Sequence, residues 1–152
     1  MKSKIAEAIK LKNLPVAVFR SETKPENALQ FVEGKWGCVI SMLNAASKGR
    51  TAVFDEQTTT CRGGKVGLGF QRFKLDHIEH FLSTGVPDGK EGEYYKKNPG
   101  LAAIYATGLP DVAPAKYVVF RPFSDLTEGE TPEIVIFLVN ADRLSALMWF
   151  AN

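Results

Sequence analysis

Two cysteines are the side chains of this 152-residue chain that are best suited to chemistry. Cys61 follows three threonines and precedes an arginine and a glycine pair, Gly63 and Gly64. The first turn of a helix has unpaired N–H groups that favour a thiolate, and glycines let backbone N–H groups approach a bound species closely. The segment predicts a Cys61 thiolate that reacts or ligates a metal, with Gly63 and Gly64 against the bound species. A small buried cysteine packed against glycines is the alternative.

Cys38 repeats this arrangement, because it follows Gly37 near the start of another predicted helix. Twenty-two residues separate the cysteines, a spacing that matches no zinc or iron–sulfur motif. Such centres take four ligands, and a second chain across a two-fold axis would supply the missing two. We expect Cys38 and Cys61 to share one concave site, with sulfurs within about 10 Å, and to bind a metal ion or an iron–sulfur cofactor. Two unrelated core cysteines are the alternative.

Two other functions fit the same residues. In a thiol-dependent enzyme, Cys61 would be the nucleophile, and Thr60 or Arg62 would assist it. In a non-catalytic module, a small anionic ligand would suit residues 1–50, which carry nine Lys and Arg against four Asp and Glu. The residues leave open whether the protein is an enzyme.

Other motifs are absent from the sequence. The glycines after Cys61 do not follow the G-x-G-x-x-G spacing, and Lys65 precedes a valine, so neither a dinucleotide fingerprint nor a P-loop is present. His77 and His80 are the only histidines, and a spacing of three is more typical of a polar helix face than of a zinc site. The basic and aromatic stretch at residues 94–97 is too short for a nucleic-acid interface. We expect no nucleic-acid partner.

Composition indicates one globular domain over residues 1–152. The chain has 45% apolar and 24% charged residues and a net charge of +2, which excludes disordered, collagen-like and disulfide-scaffold classes. The N-terminus lacks the apolar core of a signal peptide, and no stretch approaches the roughly 20 apolar residues of a membrane span. We expect a cytoplasmic protein with reduced thiols and no membrane partner.

Helix and strand patterns alternate along the chain and predict an α+β fold, in which helices pack against a mixed or antiparallel sheet. Each cysteine would begin a helix that flanks the strand at residues 51–54. The acidic, turn-rich connection at residues 124–132 predicts an antiparallel hairpin. Helices are predicted over residues 3–12, 36–47, 75–84, 99–107 and 142–152, and strands over residues 16–19, 51–54, 116–123 and 133–139.

The last predicted helix carries five apolar residues: Leu144, Leu147, Met148, Trp149 and Phe150. At about 100° per residue these side chains cannot all face one sheet, so some must be exposed on a single chain. We expect Trp149 or Phe150 to contact a second subunit in a symmetric homodimer.

Several features occur in an order that is familiar from one protein family. A Pro-Val-Ala-Val strand follows an opening helix, the Cys38 helix comes next, and glycines at positions 63, 64, 67 and 69 follow Cys61. With residues 93–95, 116–123 and 133–140, this order resembles the N-terminal two-thirds of the family catalogued as domain of unknown function 169. Longer members carry a further cysteine-bearing region downstream. The resemblance implies a cytosolic protein with this fold and a functional Cys61 segment, and it implies no particular reaction.

Overall fold

The computed structural model describes residues 3–72, 77–87, 89–113 and 115–151. The chain divides into two compact units, which we call the sheet unit (residues 1–70 and 114–152) and the inserted unit (residues 71–113). A four-stranded antiparallel sheet together with helices confirms the predicted α+β class. That residues 1–152 form a single domain stays a prediction.

The sheet unit holds all the strands and most of the helices that the structure describes. In chain order the elements are α1 (Lys4–Ala8), β1 (Val16–Ser21), α2 (Val39–Ser47), β2 (Ala52–Phe54), α3 (Arg62–Gly67), α4 (Ile78–Phe81), α5 (Pro99–Thr107), β3 (Tyr117–Pro122), β4 (Ile134–Ile136) and α6 (Ala141–Ala151). Only α4 and α5 belong to the inserted unit. None of these helices, within the described ranges, is both long and apolar enough to cross a membrane.

The strand order is β2-β3-β1-β4, and every neighbouring pair is antiparallel. Val16 of β1 pairs with Pro122 of β3 on one side and with Ile136 of β4 on the other. The predicted hairpin is therefore wrong, because β1 lies between β3 and β4. Both strands run antiparallel to β1 and hence parallel to each other, which a tight hairpin cannot achieve. Residues 123–133 supply the longer connection.

One face of the sheet packs against α2, which contributes the buried Leu43 and Ala46 to the core. Val16, Phe54 and Phe120 lie in the same core cluster. The rings of Phe54 and Phe120 meet edge to face with centroids 4.7 Å apart, a favoured aromatic geometry. This packing fixes α2 on the sheet, and with it the residues that immediately precede the helix.

Helix boundaries follow local capping in one case and tertiary contacts in another. α5 has its predicted bounds, because the Asn98 side chain accepts the Leu101 N–H at 2.9 Å and Pro99 occupies the first turn. α2 begins at Val39 rather than at residue 36, since Cys38 has an extended backbone (φ −96°, ψ 123°). α4 is shorter than predicted, and residues 75 and 76 of that prediction lie outside the described part of the chain.

Candidate thiol site

Each cysteine is the N-cap residue of a helix. Cys38 precedes α2 and Cys61 precedes α3, with ψ angles of 123° and 112°. The expectation that both cysteines stand at helix starts is confirmed. Cys61 occupies the cap itself rather than the first turn, so the residues that follow it supply the unpaired N–H groups. Both side chains are half-buried free thiols.

A hydrogen-bonded hydroxyl joins the two cysteine segments. The Gly37 N–H donates to Thr60 Oγ1 at 3.2 Å, and this hydroxyl donates to the Lys35 carbonyl oxygen at 3.1 Å. Thr60 directly precedes Cys61, and Gly37 directly precedes Cys38. The segments that carry the thiols are therefore neighbours in space, although 22 residues separate the cysteines along the chain.

Gly64 makes a second contact between the segments. Its N–H donates to Cys61 Sγ at 3.4 Å. A Cβ added to Gly64 would lie only 2.4 Å from Val39 Cγ2 and 3.4 Å from Cys61 Sγ. The side chain of Val39, which follows Cys38, and the Cys61 sulfur therefore both lie against the same glycine. Position 64 has no room for a larger residue unless Val39 moves.

The two glycines of the pair differ in their surroundings. A Cβ added to Gly63 would have no atom of the described residues within 4 Å, whereas one added to Gly64 would overlap Val39. Neither glycine has a positive φ. Position 64 needs glycine for the close approach of α3 to Val39, and not for an unusual backbone angle. The approach of either glycine to a bound species stays a prediction.

Gly37 has a packing role that the sequence did not reveal. A Cβ at this position would lie 2.3 Å from Phe31 Cδ1. The Phe31 ring contacts the buried Phe54 ring edge to face, with centroids 5.9 Å apart. The hydrophobic core therefore fixes the backbone just before Cys38. The glycine directly before the cysteine is the sequence signal that could have indicated this contact.

The loop before Cys61 is held by Asp55. Its carboxylate accepts the Thr58 N–H at 2.7 Å, the Thr58 hydroxyl at 2.8 Å and the Gln30 amide at 2.6 Å. Thr59 is fully buried, and its hydroxyl has no hydrogen-bond partner in the described part of the chain. Of the three threonines, Thr58 shapes the loop and Thr60 joins the cysteine segments. An aspartate three residues before a threonine is a turn signal that could have predicted the first of these roles.

Two exposed apolar side chains lie close to Cys38 in sequence. Trp36 is 77% exposed and Ile40 is 65% exposed, and we call these two side chains the apolar patch. Cys61 is followed by the exposed Arg62 and, within α3, by the half-buried Lys65. The site thus combines two thiols with an uncovered apolar patch and with cations close in sequence to Cys61.

α6 carries a second exposed apolar surface. Trp149 is 83% exposed, and Leu144, Met148 and Phe150 are also more than half exposed, while Leu147 is half-buried. The expectation that some of these five side chains are exposed on one chain is confirmed. A subunit contact through Trp149 or Phe150 stays a prediction.

The two thiols stand apart from other metal-binding side chains. No group of three or more His, Cys, Asp or Glu residues that could hold a metal ion occurs within the described ranges. In the inserted unit, the His77 and His80 ring centroids are 6.4 Å apart, and His80 Nδ1 lies 3.3 Å from the Gly85 carbonyl oxygen. Within the described ranges, Cys38 and Cys61 therefore have no third side-chain ligand of this kind beside them.

Comparison with known proteins gives a family and no closer relative. No curated protein and no solved structure matches the chain significantly. One family model, described as an uncharacterised ArCR, matches residues 4–152. This match covers essentially the whole chain. The chain therefore belongs to the family catalogued as domain of unknown function 169.

Proposed function

We propose that Cys38 and Cys61 together bind a thiophilic metal ion or an iron–sulfur cluster in the cytoplasm. One observation carries the proposal: the hydrogen bond from the Gly37 N–H to Thr60 Oγ1 joins the residues that precede the two cysteines. Two thiols on adjacent helix caps, in a chain with no other cysteine, suit a metal that prefers sulfur ligands, such as zinc, copper(I) or iron in a cluster.

The contacts around the sulfurs support this role. Both thiols are half-buried, so each keeps some accessible surface through which a metal could reach it. The Gly64 N–H that points at Cys61 Sγ is the kind of outer hydrogen bond that orients a metal ligand. Val39 packs against Gly64 and keeps the Cys61 helix next to the Cys38 helix.

A second copy of the chain would complete the ligand set. A structural zinc ion or a cluster takes four protein ligands, and each chain offers two cysteines. The apolar patch of Trp36 and Ile40, beside Cys38, would be covered when two such sites face each other. The proposed assembly is a homodimer with one metal centre shared between two chains.

Metal analysis of protein purified without oxygen tests the proposal. We expect zinc, or iron with acid-labile sulfide, at one centre per two chains, and we expect a dimer by analytical ultracentrifugation. Cys38→Ser and Cys61→Ser should each lose the metal. Gly67→Ala, which alters an open position at the end of α3, should retain it. A folded wild-type protein that contains no metal and takes up none during anaerobic reconstitution would refute the proposal.

One asymmetry favours a second candidate, a thiol-dependent enzyme with Cys61 as nucleophile. The Cys61 sulfur accepts a backbone N–H, whereas the Cys38 side chain accepts none from its helix. A nucleophilic cysteine needs its sulfur held in one orientation towards a substrate, and the Gly64 N–H contacts the Cys61 sulfur alone. If this candidate is right, metal-free protein should react with iodoacetamide much faster at Cys61 than at Cys38. Equal modification of both peptides by mass spectrometry would count against it.

A further inference from the structure

A groove in the sheet unit lies where the loop after α1 meets the connection from β4 to α6. Its volume is about 630 Å³, within the range of roughly 300–1,000 Å³ that is usual for small-molecule sites. Lys10 and Lys12 line it from the loop, and Arg143 lines it from the first turn of α6. No residue of the thiol site contributes to this lining, so the inference does not depend on the proposed metal site.

The charges in the groove all have one sign. No carboxylate lines it, and within the described residues Lys10, Lys12 and Arg143 form no ion pair. By contrast, Arg20 and Arg121 of the same unit each pair with a glutamate, at 2.7 Å and 2.5 Å. Arg143 is half-buried and, within the described residues, has no counter-charge. A bound anion would supply that charge.

We propose that this groove binds a small organic molecule that carries a dianionic group of the phosphate-monoester type. A guanidinium donates two parallel hydrogen bonds to phosphate oxygens, and the lysines add point charges around them. The Asn140 side-chain oxygen already accepts the backbone N–H of Arg143 at 3.0 Å. The side-chain amide nitrogen of Asn140 is therefore left as a further donor. Leu11 and Leu138 provide an apolar wall for the organic part of the ligand.

An NMR titration with phenyl phosphate tests this site. In about 0.15 M KCl, which screens exposed charges strongly, we expect ¹H–¹⁵N shifts confined to residues 10–13 and 138–143. Inorganic phosphate should bind the same residues more weakly, because it leaves the apolar wall uncovered. Arg143→Gln should weaken phenyl phosphate binding by about tenfold or more, and Lys12→Gln by a smaller factor.

Arg50→Gln is the matched control, since Arg50 is an exposed arginine of the sheet unit that does not line the groove. It should leave the affinity unchanged. Chemical shift changes spread over many basic residues would show only non-specific attraction and overturn the proposal. An equal loss of phenyl phosphate affinity in Arg50→Gln and Arg143→Gln would do the same. The absence of shifts at about 10 mM phenyl phosphate, a concentration that detects even weak binding, would overturn it as well.

Discussion

The segments that carry the two cysteines begin alike but are anchored differently. α2, which follows Cys38, has nine residues and buries Leu43, Ala46 and Ser47. α3, which follows Cys61, has six residues, three of them glycine, and buries none fully. Glycine weakens a helix by about 1 kcal/mol per residue relative to alanine, so α3 has little stability of its own.

This difference indicates that the Cys61 segment is held less firmly than the Cys38 segment. The core fixes the Cys38 segment through α2 and Phe31, whereas the Cys61 segment is held by fewer buried contacts: Leu68 at the C-cap of α3 packs on the core, and Thr60 and Gly64 contact the Cys38 segment. Regions with few buried apolar contacts open most readily in a folded protein. We therefore expect the Cys61 segment to open first, and bound metal to protect it from opening.

The largest effect should come from changing the better-anchored segment with Gly37→Ala. The added methyl group would overlap the Phe31 ring, which cannot move without disturbing Phe54. We expect the free energy of unfolding to fall by about 3 kcal/mol, measured by urea denaturation with circular dichroism. Gly67→Ala, where no described atom lies within 4 Å, is the control. Equal midpoints for the two variants would mean that the core does not fix this segment.

The next largest effect should come from Gly64→Ala, which tests the contact between the Cys61 segment and Val39. Gly64→Ala should cost about 2 kcal/mol, because Val39 is β-branched and cannot easily turn away from the new methyl group. Gly63→Ala should instead stabilise the protein by up to about 1 kcal/mol, since alanine favours the helix and the position is open. Thermal or urea unfolding of the two neighbours gives the sign of each change. A loss of stability in both would remove the distinction between them.

A smaller effect tests the hydroxyl that joins the two segments. Thr60→Val keeps the shape of the side chain but removes its hydrogen bonds with Gly37 and Lys35, which should cost about 1 kcal/mol and weaken metal binding. Thr59→Val is the matched control, because the buried Thr59 hydroxyl has no partner within the described residues. That variant should be neutral or more stable. Identical metal content and stability in both valine variants would contradict the proposed link.

The smallest effect should come from a change at Glu130, which lies outside both cysteine segments and should leave them unchanged. Burial raises the pKa of Glu130, but hydrogen bonds from the Thr127 N–H and from Arg121 outweigh it and hold the pKa below its ordinary value of 4.5. A lowered pKa in the folded state means that this stabilisation is present above the unfolded pKa and is lost as pH falls through the folded pKa.

Glu130→Gln should therefore lower the free energy of unfolding at pH 7 by about 1 kcal/mol or less, with a shrinking difference below pH 4.5. Its metal content should match that of the wild type. Urea unfolding at several pH values measures the difference. A gap that stays constant from neutral to acidic pH would show that the ion pair is not its cause.

Local patterns were sufficient for much of the fold. α5 could be predicted with its bounds, because Asn98 and Pro99 signal a helix start through interactions with the next turn alone. The placement of Cys38 and Cys61 at helix starts also follows from local glycine and helix patterns. The hairpin prediction failed because strand pairing is decided by residues far apart in sequence. Here β1 lies between β3 and β4 and pairs with both.

The details of the candidate site needed tertiary information for the same reason. The helix predicted over residues 36–47 begins three residues later, at Val39, since the backbone of Cys38 is extended and the Gly37 N–H bonds to Thr60 across the sheet unit. The close approach of Gly64 to Val39 brings together residues that are 25 positions apart, and local sequence patterns cannot predict such a contact. The sequence could place both cysteines at helix starts, whereas the spatial arrangement of the two segments depended on contacts across the sheet unit.

The central position of β1 has a consequence for synthesis of the chain. Both of its partners, β3 and β4, lie roughly 100 residues further on, and the inserted unit is translated in between. At ribosomal rates of about 5–20 residues per second, the apolar β1 strand waits on the order of 5–20 s without a partner. During that time its edges can pair with other nascent chains or bind a chaperone. The yield of native protein in the cell should therefore depend on chaperone supply more steeply than its final stability suggests.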